Sequence, residues 1–145
     1  MKRLGLLVLT LFIAIAGVAW IRPPTPAGVL APADPVQVMI NGDAHRSCRT
    51  TLKDVAGAVV VTIEGLAGDG GKLHPLQQAF IDHGAFQCGY CTSGMIIDAH
   101  ALLQETPHPS REAIVARMDH NLCRCGAHTR IVDAIEQAAK PGAGS

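Results

Sequence analysis

Leu4 to Ile21 is an unbroken uncharged run, LGLLVLTLFIAIAGVAWI, placed directly behind Lys2 and Arg3. As a helix these residues would extend roughly 27 Å, the thickness of a bilayer core. With no polar face in the run, a buried core helix fits less well. Residues 1–21 therefore predict a retained membrane anchor, or a secretory signal segment cut at Gly17-Val18-Ala19 or Ala31-Pro32-Ala33. The length favours the anchor. Lys2 and Arg3 put the N-terminus on the cytoplasmic side and the remainder on the outer, periplasmic face. Residues 22–35 carry five prolines and no period, the composition of an extended tether.

From Val36 the pattern becomes that of a folded domain. Val36, Val38 and Ile40 alternate with Gln37 and Met39, and Asn41-Gly42 follows, which predicts a strand and a hairpin turn. His45 to Leu52 is the candidate return strand, and AVVVTI, Ala58 to Ile63, is a further β-branched run. The glycine-rich GLAGDGG, Gly65 to Gly71, lacks the Lys-Ser/Thr of a phosphate loop and reads as a linker. After it the apolar period turns helical. Pro75 suits a first helical position, and Leu76, Ala79, Phe80 and His83 recur at helical spacing up to Gly84. A second helix is expected from Thr92 or Ser93 to about Gln104, with Met95, Ile96, Ala99, Leu102 and Leu103 on its apolar side. Pro107 and Pro109 break the chain. Ser110 is the expected N-cap of a third helix that ends near His120 and buries Ile114, Val115 and Met118. A fourth runs from Thr129 to about Ala139, before Pro141-Gly142. Short connections between four helices predict a compact, mainly α bundle over residues 72–140, behind a small sheet in 36–71 and ahead of a tail at 141–145.

Composition changes this picture little. Twelve basic and twelve acidic side chains balance to a formal charge of zero, and aromatic residues are 3 % of the 145. There is no basic stripe or stacking platform for nucleic acid. The 48 % hydrophobic content is inflated by the first twenty residues.

The candidate chemistry lies in the cysteines: Cys48, and the two tight pairs Cys88-x2-Cys91 and Cys123-x-Cys125. Each pair stands before a predicted helix, and those helices echo one another, with Ile96-Ile97-Asp98-Ala99 against Ile131-Val132-Asp133-Ala134. Each half reads helix, thiol pair, helix, and a pseudo-twofold relation would bring four sulfurs together. Backbone N–H groups at helix starts favour an anionic metal–sulfur centre there. Structural zinc is a rival, although its pairs are usually spaced by two to four residues. Spacing alone leaves iron–sulfur and zinc open. Disulfides and inert buried thiols fit less well, since Cys-x-Cys does not readily close on itself and the cysteine count is odd. The remaining candidates carry no constellation. His128 is not needed as a ligand beside four cysteines, the other histidines are scattered, and Asp98 and Asp133 read as solvent-facing or capping. No nucleophile–base–orienter set is present.

GAFQCGYCTSGMI, Gly84 to Ile96, together with NLCRCGAHTRI, Asn121 to Ile131, resembles the C-terminal iron–sulfur domain of the molybdenum hydroxylase family, which includes xanthine dehydrogenase, aldehyde oxidoreductase, carbon monoxide dehydrogenase and isoquinoline 1-oxidoreductase. The resemblance runs from Val36 to about Ala139. It implies a four-helix pseudo-twofold bundle holding one [2Fe–2S] cluster on Cys88, Cys91, Cys123 and Cys125. It further implies that Gln87 and Cys125 lie against the molybdopterin of a large catalytic subunit, and that electrons from molybdenum enter this cluster first. Substrate chemistry would belong to that partner. The alternative is a structural zinc or degenerate scaffold module without redox work.

The chain departs from the family in one respect. VMINGDAHRSC and VVVTIEGLA resemble the end of the N-terminal β-grasp domain, where the family binds a second, plant-type cluster through C-x4-C-x2-C and a later cysteine. Cys48 matches that later ligand, but the other three fall on Gly28, Ala33 and Val36. The implied β-grasp is truncated, and Cys48 is an orphan thiol. Onward transfer to a flavin subunit is then in doubt, and a haem protein of the envelope is the alternative acceptor. Lys2-Arg3 also lacks the twin arginine of folded-protein export, which sits uneasily with a cluster inserted before export; a cytoplasmic location is the alternative.

Overall fold

The first described element is a hairpin. The computed structural model describes residues 37–142; the apolar run 4–21, the tether, Gly28, Ala33 and Val36 lie outside them, as do residues 143–145. Strand β1 (Gln37–Ile40) turns through Asn41-Gly42 into β2 (Asp43–Arg46), with Ile40 opposite Asp43 and Gln37 opposite Arg46. The short β3 (Val60–Val61) pairs antiparallel on the other edge of β1, giving the order β2-β1-β3. Asn41 secures this edge, since its N–H donates to Val59 O at 2.9 Å and its Oδ1 accepts from Val59 N–H at 3.0 Å. The return strand is shorter than expected and gives way to a 3-10 turn at Ser47–Arg49 that carries Cys48.

Four helices follow: α1 (Pro75–Asp82), α2 (Thr92–Glu105), α3 (Arg111–Met118) and α4 (His128–Ala138). Their starts obey local rules. His74 caps α1, its Nδ1 accepting from Leu76 N–H at 3.2 Å while Gln77 Oε1 accepts from His74 N–H at 2.9 Å, a reciprocal box that satisfies two otherwise orphaned donors. Ser110 Oγ accepts from Ala113 N–H at the start of α3, as its side chain predicts.

Leu76, Phe80, Met95, Ile114, Met118, Ile131 and Ile135 are fully buried where the helices meet. Burying a side chain such as Phe80 contributes about 2–3 kcal/mol. Helix α2 is buried on two sides. Met95, Ile96, Ala99 and Leu102 face the other helices, while Ile97 and Ala101 pack on Met39 of the sheet. A helix covered on both sides carries apolar residues almost all round, which is why its sequence shows no clean stripe.

Several expectations change here. On β1, Gln37 and Met39 are buried, Met39 against Ile97 and Ala101 of α2, and Val38 is half-buried; Ile40, which alternates with them, is buried as well, so the inward positions do not follow one clean alternation. Val115 is 49 % exposed, because Ile114 and Met118, four apart, already form the buried edge of an eight-residue helix. His83 falls on the C-cap of α1 and is exposed. Asp98 is buried rather than solvent-facing. The transmembrane helix, the membrane anchoring through 4–21 and the placement on the outer face are corrected as well. No helix among the described residues is long and apolar enough to cross a membrane. The longest, α2, has 14 residues and includes Asp98, His100 and Glu105, well short of the roughly 20 apolar residues a span needs.

Candidate metal centre

Both thiol pairs lie in loops that glycine makes possible. Gly89 follows Cys88 with φ +80°, and Gly126 follows Cys125 with φ +73°. An added Cβ would meet nothing within 4 Å at either position, so the requirement is for the left-handed backbone itself. Each reversal folds the loop back over its cysteines. Cys91 then occupies the N-cap of α2, and Cys123 and Cys125 precede α4.

The loops bring the sulfurs together across the two halves of the motif. Cys88 is in hydrogen-bonding contact with Cys125, and Cys91 with Cys123. Cys91 and Cys123 are buried, Cys125 is half-buried and Cys88 exposed. The Cys88 thiol is held below its usual pKa range by the backbone N–H of Tyr90, with help from the Cys125 thiol. For Cys123, burial pushes the thiol up, but the Ala127 N–H, the Cys91 thiol and the N–H groups of Cys125 and Gly126 overcome it, and the pKa is lowered. These are the conditions that favour thiolate, the form that binds metal. No disulfide occurs among the described residues.

Two observations bear on what such a donor set fits. The thiols form two cross-half pairs, and a cluster with two irons takes two thiolates on each. Thr92 Oγ1, one residue after Cys91, is buried without a hydrogen-bond partner, a hydroxyl donor of the kind that sulfur-rich centres use. The donor chemistry fits a two-iron cluster.

Of the other candidates, Gln87 is exposed beside Cys88. Phe86, Tyr90 and Leu122, close in sequence to these thiols, are 41 %, 61 % and 48 % exposed. His128 hydrogen-bonds through Nε2 to Asn121 O at 3.1 Å and makes no set with the cysteines. Cys48 is exposed in its 3-10 turn. Sequence reasoning missed Asn121. It is 6 % exposed, two residues before Cys123, and bonded on every side. A polar residue in a short loop gives no burial signal of its own.

Residues 62–136 match the family described as the [2Fe-2S] binding domain. The chain is 55 % identical over 106 residues to the alpha subunit of isoquinoline 1-oxidoreductase from Brevundimonas diminuta, covering 73 % of this chain and 68 % of that one. It is 43 % identical over 103 residues to the small FeS subunit of nicotinate dehydrogenase from Eubacterium barkeri, covering 71 % and 65 %. The structure superposes on the crystal structure of quinoline 2-oxidoreductase from Pseudomonas putida 86 with a TM-score of 0.68 at 39 % identity, over 76 % of this chain and 70 % of that one. The chain thus spans about two thirds of the length of these curated relatives. On the fold, the cysteine geometry and these identities together, the chain belongs to the [2Fe-2S]-binding domain family, among the small iron–sulfur subunits of molybdenum hydroxylases.

Proposed function

We propose that this chain is the electron-transfer subunit of a molybdopterin-dependent oxidoreductase, with Cys88, Cys91, Cys123 and Cys125 holding one [2Fe–2S] cluster. The observation that carries this reading is the cross-half pairing of Cys88 with Cys125 and of Cys91 with Cys123. When bound, the cluster supplies a one-electron relay. The chain's residues do the remaining work. The N–H groups of Tyr90, Ala127, Cys125 and Gly126 stabilise thiolate charge. Burial of Cys91 and Cys123 shields one pair from water, and the exposure of Cys88 beside a half-buried Cys125 leaves the other pair near the surface.

That surface is the one we assign to the large subunit. Gln87 and Cys125 would contact its molybdopterin, and the exposed Phe86, Tyr90 and Leu122 supply apolar contact around them, as the buried centre of a subunit interface needs. The two halves, α1 to α2 and α3 to α4, would be related by a pseudo-twofold axis between the thiol pairs. We read the hairpin sheet as the remnant of a β-grasp domain covering 36–71, ahead of the helical domain at 72–140. The onward acceptor, flavin or haem, follows from the partners the complex contains.

Iron and sulfide analysis, visible absorption and the paramagnetic signal of the reduced protein test the reading. Two irons per chain and a signal integrating to one spin are expected. A colourless protein holding stoichiometric zinc overturns it.

A further inference from the structure

Asn121 gathers contacts from every layer of the fold. Its Nδ2 donates to Asp98 Oδ2 on α2 at 2.7 Å, and its Oδ1 accepts from Gln37 Nε2 on β1 at 2.6 Å. Its N–H donates to Met118 O at the end of α3, 2.9 Å away, and its carbonyl meets His128 Nε2 at the start of α4. The amide orientation follows from chemistry: only the nitrogen can face a carboxylate, so the oxygen faces Gln37. Asp98 is fixed in turn by Arg117 Nε at 2.6 Å, and Arg117 also reaches Glu105. Arg46 of β2 donates to His120 O. Asp98, Asn121 and Gln37 are 6 %, 6 % and 7 % exposed. Buried polar groups of this kind hold one arrangement, because any other leaves a donor or acceptor unsatisfied.

We propose that Asn121 is the positioning residue of the Cys123–Cys125 arm, tying it through Asp98 and Gln37 to α2 and β1 and so setting how tightly the cluster is retained. This rests on the reading that the four cysteines hold that cluster. Asp98 thus acts on the centre from within α2, the helix whose N-cap is Cys91, so one carboxylate links both halves of the thiol set. Arg111 with Asp133 and Glu136 has no such role, since it lies on exposed surface between α3 and α4.

The test uses the cluster-loaded full chain and reads the rate of iron release to a chelator and the line shape of the reduced cluster's paramagnetic spectrum. Asn121→Asp sets two carboxylates face to face, and Asp98→Asn sets two amide nitrogens face to face. Each is expected to release iron about tenfold faster, the effect of one buried hydrogen bond, with an altered line shape. The exchange D98N/N121D restores the donor–acceptor order. The amide introduced at position 98 then donates to the carboxylate introduced at position 121, Arg117 donates to the oxygen of that amide, and Gln37 still finds an acceptor. The exchange is expected to return release and line shape towards those of the original chain. If the single variants do not fold, Gln37→Leu removes one donor far from the thiols in sequence and is expected to accelerate release several-fold. Release at the original rate in N121D, or in Q37L, overturns the proposal. So does an exchange variant as labile as its single parents. A wild-type chain that binds no cluster overturns the functional reading and this inference with it, whereas a loaded wild type with an unaffected N121D overturns the inference alone.

Discussion

Gly89 and Gly126 hold φ of +80° and +73° directly after Cys88 and Cys125, with open space where a Cβ would stand. Gly126→Ala therefore isolates backbone strain from steric clash. It should lower stability by about 1–2 kcal/mol, read as a shift in urea midpoint; an unchanged midpoint would show that the left-handed turn carries no cost for alanine. Among the thiols, substitution should separate sharply. Cys123→Ser should abolish the visible absorption of the reconstituted chain, because Cys123 is a buried partner of Cys91. Cys48→Ser should leave it unchanged, since Cys48 lies in the Ser47–Arg49 turn and is exposed. The two thiol pairs stood out in the spacing. The role of Asn121 was not, because its contacts join positions 84 and 23 residues apart in sequence.

Helix α1 starts on a titratable cap. His74 Nδ1 accepts from Leu76 N–H, which requires that nitrogen to be unprotonated, and the His74 ring stands edge-on to His100 at a centroid distance of 4.8 Å. His74 is held below its ordinary value of 6.5 by burial and then by the charge of His100, and His100 by burial. A depressed histidine favours the neutral ring in the folded state, so the unfolded chain takes up protons first. Stability from this pair is full above the ordinary value and is lost as pH falls through the depressed ones. The urea midpoint should fall as pH is lowered through and below 6.5. His74→Asn keeps an N-cap acceptor that does not titrate and should flatten that slope; an equally steep slope in the variant would remove His74 from the explanation. At this scale the sequence was informative about helix existence and ends, since Pro75, Ser110 and the Pro107–Pro109 break act locally. It did not show that Gln37 and Met39 of β1 are buried along with Ile40, because Gln37 is drawn inward by Asn121 and Met39 by Ile97 and Ala101.

Across the described residues, the sheet, α2 and the remaining helices form layers with α2 in the middle. The cluster that holds Phe80, Met95 and Ile131 also takes in Cys91 and Cys123, but most of its members are apolar side chains of the helices, whereas the loops at 88–91 and 123–125 are joined to each other through the thiols. Removing iron by chelation should therefore lower the thermal midpoint while leaving the helical circular dichroism at low temperature largely in place. Complete loss of helical signal on chelation would instead make the metal the organiser of the core.

Local and combinatorial features were readable from the residues alone: four helix starts and stops, a hairpin at Asn41-Gly42, two thiol pairs at fixed spacing before helices, and through them a family. Each is carried by residues within a turn or two of one another. The tertiary structure decided which thiols face each other, that Gln37 and Met39 of β1 are buried, and that Asp98 is a buried anchor while Asp133, its counterpart in the sequence echo, pairs with Arg111 at the surface. The physical reason is that burial and pairing depend on what the rest of the chain places opposite a residue. Asp98 lies between α3 and the loop at Asn121, with β1 behind it, and no such layer covers Asp133.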